Sequence, residues 1–242
     1  MEFPSTFLFV GLPYIATFIF LVGTVHRYRS RSFSVSSLSS QFLEGKDLFW
    51  GAIPFHVGIL VALAGHLLAW FIPGGTLLWN AEPARLIALE VTGFAFGLSA
   101  LVGLCALLYR RLTNARVRMV SNRMDYVLEF LLLAQIVLGL WIALTQRWGS
   151  SWFAADLSPY LMSLLTLSPK IAAVAAMPLV LQLHVIGAFL IIGIFPFTRL
   201  VHFVVAPLHY LARPYQRVLW NWNRQKARDP KAPWSDARPR NS

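Results

Sequence analysis

The chain has one cysteine, Cys105, in 242 residues, so it can form no internal disulfide. Iron–sulfur clusters and structural zinc sites, which need several thiolates together, are excluded on the same ground. Any metal must be held mainly by histidine. Cys105 lies inside an apolar run and reads as a small packed side chain. Charge is also scarce. Charged residues make up 13% of the chain, against about 25% in soluble domains, too few to coat a water-soluble surface. Acidic residues are the scarcest, 10 against 21 Lys and Arg. There is no internal repeat, and no region between the apolar stretches is long enough for a second domain.

What the chain has is hydrophobic length. Apolar residues are 57% of the total and the mean hydropathy is +0.60. A bilayer core needs about 20 mostly apolar residues per helix. Five stretches qualify, from about Phe7 to Val25, Leu48 to Ile72, Leu86 to Leu108, Tyr126 to Leu144 and Met177 to Pro207. The first follows Met1-Glu2-Phe3-Pro4 without a basic leader or a small-residue cleavage site, so it reads as a retained helix.

A net charge of +11 would suggest nucleic acid for a soluble protein, but its distribution points to membrane topology. With five spans, one side of the membrane receives four, then five, then nine of the 21 basic residues, and the other side only Arg85, Arg147 and Lys170. By the positive-inside rule the rich side is cytoplasmic, which places the N-terminus outside and the C-terminus inside. The basic charge then attracts anionic lipid and offers a docking surface, and no nucleic-acid partner is expected. Ser30 to Ser40 reads as a cytoplasmic loop, and Trp148 to Lys170 as a partly interfacial external segment. Residues 1–215 read as one membrane domain. Residues 216–242 read as a basic cytoplasmic tail, disordered unless a partner orders it.

Four of the six histidines fall inside the apolar stretches: His56 and His66 in the second, His184 and His202 in the fifth. His26 and His209 lie near membrane ends and are expected to be dispensable. An ionisable group at membrane depth is costly and usually functional, although any single buried histidine can serve an interhelical hydrogen bond instead. At about 1.5 Å per residue, His56 lies roughly 12 Å and His66 roughly 27 Å from the cytoplasmic start of their helix. In the antiparallel fifth helix His202 is the cytoplasmic member. Depth therefore pairs His56 with His202 and His66 with His184. Two bis-histidine sites at two depths are what low-spin b-type haems require.

Face geometry supports the pairing incompletely. His184 and His202 are 18 residues apart, a whole number of helical turns. His56 and His66 are 10 apart, which leaves them about 80° from each other and about 15 Å apart in height, against about 27 Å on the fifth helix. Tilt and a kink at Pro196 are needed to absorb the mismatch. Gly58, Gly65, Gly187 and Gly193 flank the four histidines, either to admit a porphyrin to the backbone or to pack helices. Arg110, Arg111 and Arg199 lie at cytoplasmic ends, as partners for haem propionates or as interfacial anchors.

These residues resemble the cytochrome b gamma subunit of membrane-bound respiratory nitrate reductase. The resemblance runs from Pro13-Tyr14-Ile15-Ala16 to about Tyr215. It is carried by Ser39-Ser40-Gln41, by Phe55-His56-Val57-Gly58-Ile59-Leu60 with Gly65-His66, by Arg110-Arg111-Leu112 with Arg116-Val117-Arg118, and by Phe195-Pro196-Phe197-Thr198-Arg199-Leu200-Val201-His202. The histidine spacings are also family-like and differ from the near-equal spacing of bc-type cytochromes. Trp220 to Ser242 extends beyond the match.

The resemblance implies an all-α integral membrane protein of five helices holding two haem b groups, in a bacterial or archaeal cell membrane. His56 and His202 would be the axial iron ligands of the haem nearer the cytoplasmic partners, and His66 and His184 those of the distal haem. It further implies quinol oxidation on the external side and electron delivery to an iron–sulfur beta subunit, with nitrate reduced in a molybdenum-cofactor alpha subunit. The family commonly has a lysine before the third helix associated with quinol binding, and the nearest match here is Arg85. The quinol-site candidates are then His66, Arg85 as a fixed donor and Glu90 as a proton acceptor. Alternatively Arg85 snorkels to head groups and Glu90 pairs with it. Competing functions are a gamma-type subunit of a sulfite- or heterodisulfide-linked respiratory complex, and a haem-free anchor or transporter.

Overall fold

A computed structural model describes residues 2–35 and 46–204, and among them no strand occurs. Five helices there are long and apolar enough to cross a membrane: α1 (Pro4–Ser30), α2 (Leu48–Phe71), α3 (Pro83–Thr113), α4 (Arg123–Thr145) and α5 (Leu179–Phe197). Helices are the expected solution, because a span without water must satisfy every backbone N–H and C=O within itself. At most 28% of the residues in the apolar stretch of each span are buried within the chain, so the rest keep some surface open to their surroundings. Phe18, Trp50 and Val102 are examples on three different helices.

The five expected stretches are all present. The first four helices run a little beyond the expected bounds at most ends. The fifth departs from expectation. Instead of running unbroken from Met177 to Pro207, it is α-helical over Leu179–Ile194 and closes in a 3-10 turn at Phe195–Phe197. Thr198 is then extended (φ −114°, ψ −179°), and a second 3-10 turn follows at Arg199–Phe203. Pro196 has no N–H for the helical ladder, which accounts for the break. The Thr198 hydroxyl restarts the chain by accepting from Leu200 N. Residues 36–45 and 205–242 lie outside the described residues, and with them part of the serine-rich loop, the Ser39-Ser40-Gln41 block, His209 and the tail.

Helix ends carry recognisable stops. α3 starts with Pro83 at its first turn and ends on Arg110 and Arg111, cations placed at the negative end of the helix dipole. α4 opens with a capping box: the Asn122 side chain accepts from Asp125 N and the Asp125 carboxylate accepts from Asn122 N.

Close packing follows from small residues. α2 crosses α3 where a Cβ on Gly58 would strike Phe96 O and Ala100 N, and one on Gly103 would strike Phe55 N. Gly58 is thus a packing residue. The closely packed neighbours run α2, α3, α4, α5, α1, while α2 and α5 do not pack closely on each other. A seam is left between them. Its far end is covered by the segment after α4, which is helical: a π turn at Phe153–Leu157 and a helix at Ser158–Leu165. Ser158 Oγ donates to Trp70 O (2.8 Å), Tyr160 Oη to Phe9 O (2.8 Å) and Tyr14 Oη to Leu164 O (3.0 Å), tying the cover to α2 and α1. Burial raises the pKa of Tyr160, keeping it a neutral donor.

Candidate functional site

Across the seam the histidines meet in the two expected pairs. His56 and His202 bring their ring centroids to 6.2 Å, with planes at 66°, and His66 and His184 to 6.4 Å, with planes at 34°. A centroid lies roughly 1.1 Å from its Nε2 and a metal–imidazole bond is about 2 Å, so two imidazoles on opposite sides of one metal stand about 6.2 Å apart. Both pairs have that spacing. It is longer than the roughly 5 Å at which two imidazoles hydrogen-bonded to each other would stand.

The break in α5 explains how the pairs reach a common level. A straight helix would carry His202 about 12 Å further from His184 than His56 is from His66. The turn at Thr198 removes the need for matching rises, so the 18-residue spacing owes nothing to an unbroken helix.

Three of the rings are oriented by backbone carbonyls. Nδ1 of His56 lies 2.7 Å from Ala52 O, Nδ1 of His66 2.7 Å from Ala62 O, and Nδ1 of His202 2.5 Å from Arg199 O. A carbonyl only accepts, so each Nδ1 donates, which leaves Nε2 as the ring nitrogen that a metal would take. His184 is held differently. Its carbonyl accepts from Gln135 Nε2 (2.8 Å) while its own Nδ1 is buried without a partner. A Cβ on Gly139 of α4 would lie 3.1 Å from its Cε1, so this glycine makes room for the ring.

The flanking glycines divide. A Cβ on Gly65 would meet nothing within 4 Å, leaving open space beside His66. Gly187 makes room for the Gln135 amide, and Gly193 packs on Ala16 at an ordinary 3.5 Å. Arg111 and Arg199 form ion pairs within the chain. Arg111 Nε pairs with Glu129 Oε1 (2.7 Å) and its Nη1 with Asp125 Oδ2 (3.3 Å), while Arg199 forks onto Asp125 through Nε (2.7 Å) and Nη2 (2.8 Å). Arg110 is buried. Asp125, Glu129, Gln135, Gly139 and Arg27 are absent from the sequence-based candidates. Two acids four residues apart at the mouth of an apolar span were the available signal.

On the opposite side Arg85 and Glu90 do not pair. The Arg85 guanidinium sits over the Trp79 ring, 5.4 Å from its centroid. Glu90 Oε1 accepts from Ser150 N (2.9 Å) and Ser150 Oγ (2.6 Å), and Ser150 Oγ accepts from Asn80 Nδ2 (2.9 Å). Glu90 also lines a cavity of about 230 Å³ with Ile87, Val91, Ala143, Arg147 and Trp148. His26 is exposed on α1. Cys105 is exposed on α3, contrary to the packed position expected for it, because its direction on the helix faces away from the neighbouring helices.

Comparison with known proteins agrees with this architecture. Residues 5–221 match the family model of the nitrate reductase gamma subunit. The chain is 30% identical over 207 residues to the nitrate reductase gamma chain of Bacillus subtilis, covering 84% of this chain and 93% of the relative. It is 32% identical over 225 residues to the respiratory nitrate reductase 2 gamma chain of Escherichia coli, covering 90% and 98%. It is also 34% identical over 212 residues to the nitrate reductase-like protein NarX of Mycobacterium tuberculosis, covering 84% of this chain but 32% of that longer one. Matched over most of its length and built of five helices fit to cross a bilayer, the chain is a multi-pass cell-membrane protein that belongs to the nitrate reductase gamma subunit family.

Proposed function

We propose that this gamma chain is a dihaem cytochrome b that oxidises quinol on the external side of the membrane. It delivers the electrons to an iron–sulfur beta subunit on the cytoplasmic side, for nitrate reduction in a molybdenum-cofactor alpha subunit. The observation that carries the reading is the pair of histidine contacts across one seam, both at the spacing of two imidazoles sharing a metal. Haem bound between each pair would supply a one-electron carrier whose potential depends on its axial ligands.

The residues of the chain then have distinct tasks. His56 and His202 would hold the cytoplasmic-side haem, and His66 and His184 the external-side one. The carbonyls of Ala52, Ala62 and Arg199 hold three of these rings in one tautomer and raise their basicity. The π turn containing Phe153 lies against the external pair, its ring edge-on to His66 at 5.4 Å. Arg85, fixed against Trp79, supplies donors toward the oxygen of a quinol losing its proton. Glu90, held by Ser150, accepts that proton at the external end of α3. With the N-terminus outside, protons are released outside while electrons leave inward.

The direct test is haem content of the purified complex by pyridine haemochrome: two b-type haems per gamma chain are expected, and none would overturn the proposal. Reporter fusions after Lys46 and Arg118 should read cytoplasm, and one within Trp148 to Lys170 should read outside. The reverse pattern would refute the direction of proton release. Co-purification of a molybdenum-containing chain and a cysteine-rich ferredoxin-like chain separates a nitrate reductase from a sulfite- or heterodisulfide-linked complex.

A further inference from the structure

His202 stands on a five-residue 3-10 turn, whereas the other three paired histidines stand on α-helices. So short a turn, entered through an extended residue, has little ladder of its own to fix the depth or direction of a side chain. Two arginines from different elements hold it instead.

From α1, Arg27 Nη1 donates to both carbonyls of the break, Pro196 O (2.7 Å) and Thr198 O (2.8 Å). Its remaining nitrogens donate to Ser34 Oγ (3.2 Å) and Ser34 O (2.7 Å), so the whole guanidinium is engaged. Pro196 is pressed on the same helix, since a Cβ on Gly23 would lie 2.8 Å from its Cγ. From the other side, Asp125 of α4 receives the fork of Arg199 at 2.7 and 2.8 Å. The carbonyl of this same Arg199 accepts from His202 Nδ1. Asp125 cannot drift, because it also closes the capping box of α4 and pairs with Arg111. Its side chain is 3% exposed, an expensive place for a carboxylate unless its partners are fixed.

We propose that Arg27 and the Asp125 and Arg199 pair are positioning residues for His202, clamping the α5 break from both sides so that the imidazole meets His56 at metal-sharing distance. The inference rests on the haem-ligand reading of His202 and adds to it the means by which that ligand is held. The hydrogen bond from Nδ1 to the Arg199 carbonyl makes His202 a stronger donor to iron, which favours the oxidised metal. Loosening the clamp lengthens that bond and raises the reduction potential of one haem.

The test uses the intact complex in membranes and the variants Arg27→Lys and Arg199→Lys, which keep the charge and lose the fork. His202→Ala identifies, by its loss, the low-spin electron paramagnetic resonance signal of the haem that His202 serves. Both lysine variants should retain two haems, shift that one signal and raise its midpoint potential, with the other haem unmoved. If neither variant moves either haem while His202→Ala still loses one, the clamp is refuted and the ligand reading stands. Equal shifts of both haems, or loss of both, mean a general structural role and also refute it. Retention of two haems by His202→Ala would overturn the ligand reading and the clamp with it.

Discussion

His66 and His184 bring their rings to 6.4 Å across helices that do not pack closely on each other. Gly65 leaves open space beside one of the two and Gly139 makes room for the other. On the dihaem reading, a haem would sit between these rings.

Replacing either member of a pair should therefore release one haem and spare the other. His66→Ala or His184→Ala should leave one haem per chain by pyridine haemochrome, and so should His56→Ala or His202→Ala, with the other haem lost. His26→Ala should keep two. Four variants that all retain two haems would refute the ligand assignment.

Gly139→Val should act on His184 without touching a ligand. Even a Cβ would lie 3.1 Å from Cε1, and the two methyls of valine must push the imidazole aside. Overpacking of this kind costs about 1–3 kcal/mol. The expected result is loss of the His66 and His184 haem with the His56 and His202 haem intact. Unchanged content and spectra would mean that the ring has slack the packing does not show.

Asp125→Ala should destabilise the protein more than Glu129→Gln. Asp125 partners two arginines and caps α4, so its removal leaves Arg111 and Arg199 without their shared carboxylate, at a cost of about 3–5 kcal/mol. Glu129 makes one ion pair, and a glutamine oxygen can still accept from Arg111. Thermal unfolding of the detergent-solubilised complex measures both, and equal losses would count against Asp125 as the centre of the cluster.

Arg85→Ala should keep both haems and normal reduction by dithionite, yet slow reduction by quinol, as loss of a charged donor worth about 3–4 kcal/mol predicts. Stopped-flow traces identical to the parent at every quinol concentration would make Arg85 an interfacial anchor stacked on Trp79 and nothing more.

Sequence alone determined the number of spans, because a bilayer core demands about 20 apolar residues whatever the neighbours are. The order of the histidines along two antiparallel segments also indicated which would come near each other, but a fixed helical rise could not carry His202 to its level, because the chain leaves the helix before reaching it. The break at Thr198 was visible only as Pro196, since a proline says that the ladder is interrupted but not which way the chain leaves. Whether Gly58 or Gly65 admits a large group depends on which face each turns to α3, and a glycine shows no preference in the sequence. Arg199 and Arg111 read equally well as propionate partners. Only the folded chain shows Asp125 and Glu129 pairing with them, because an ion pair between residues 74 positions apart, as between Asp125 and Arg199, exists once packing has closed the distance between helices.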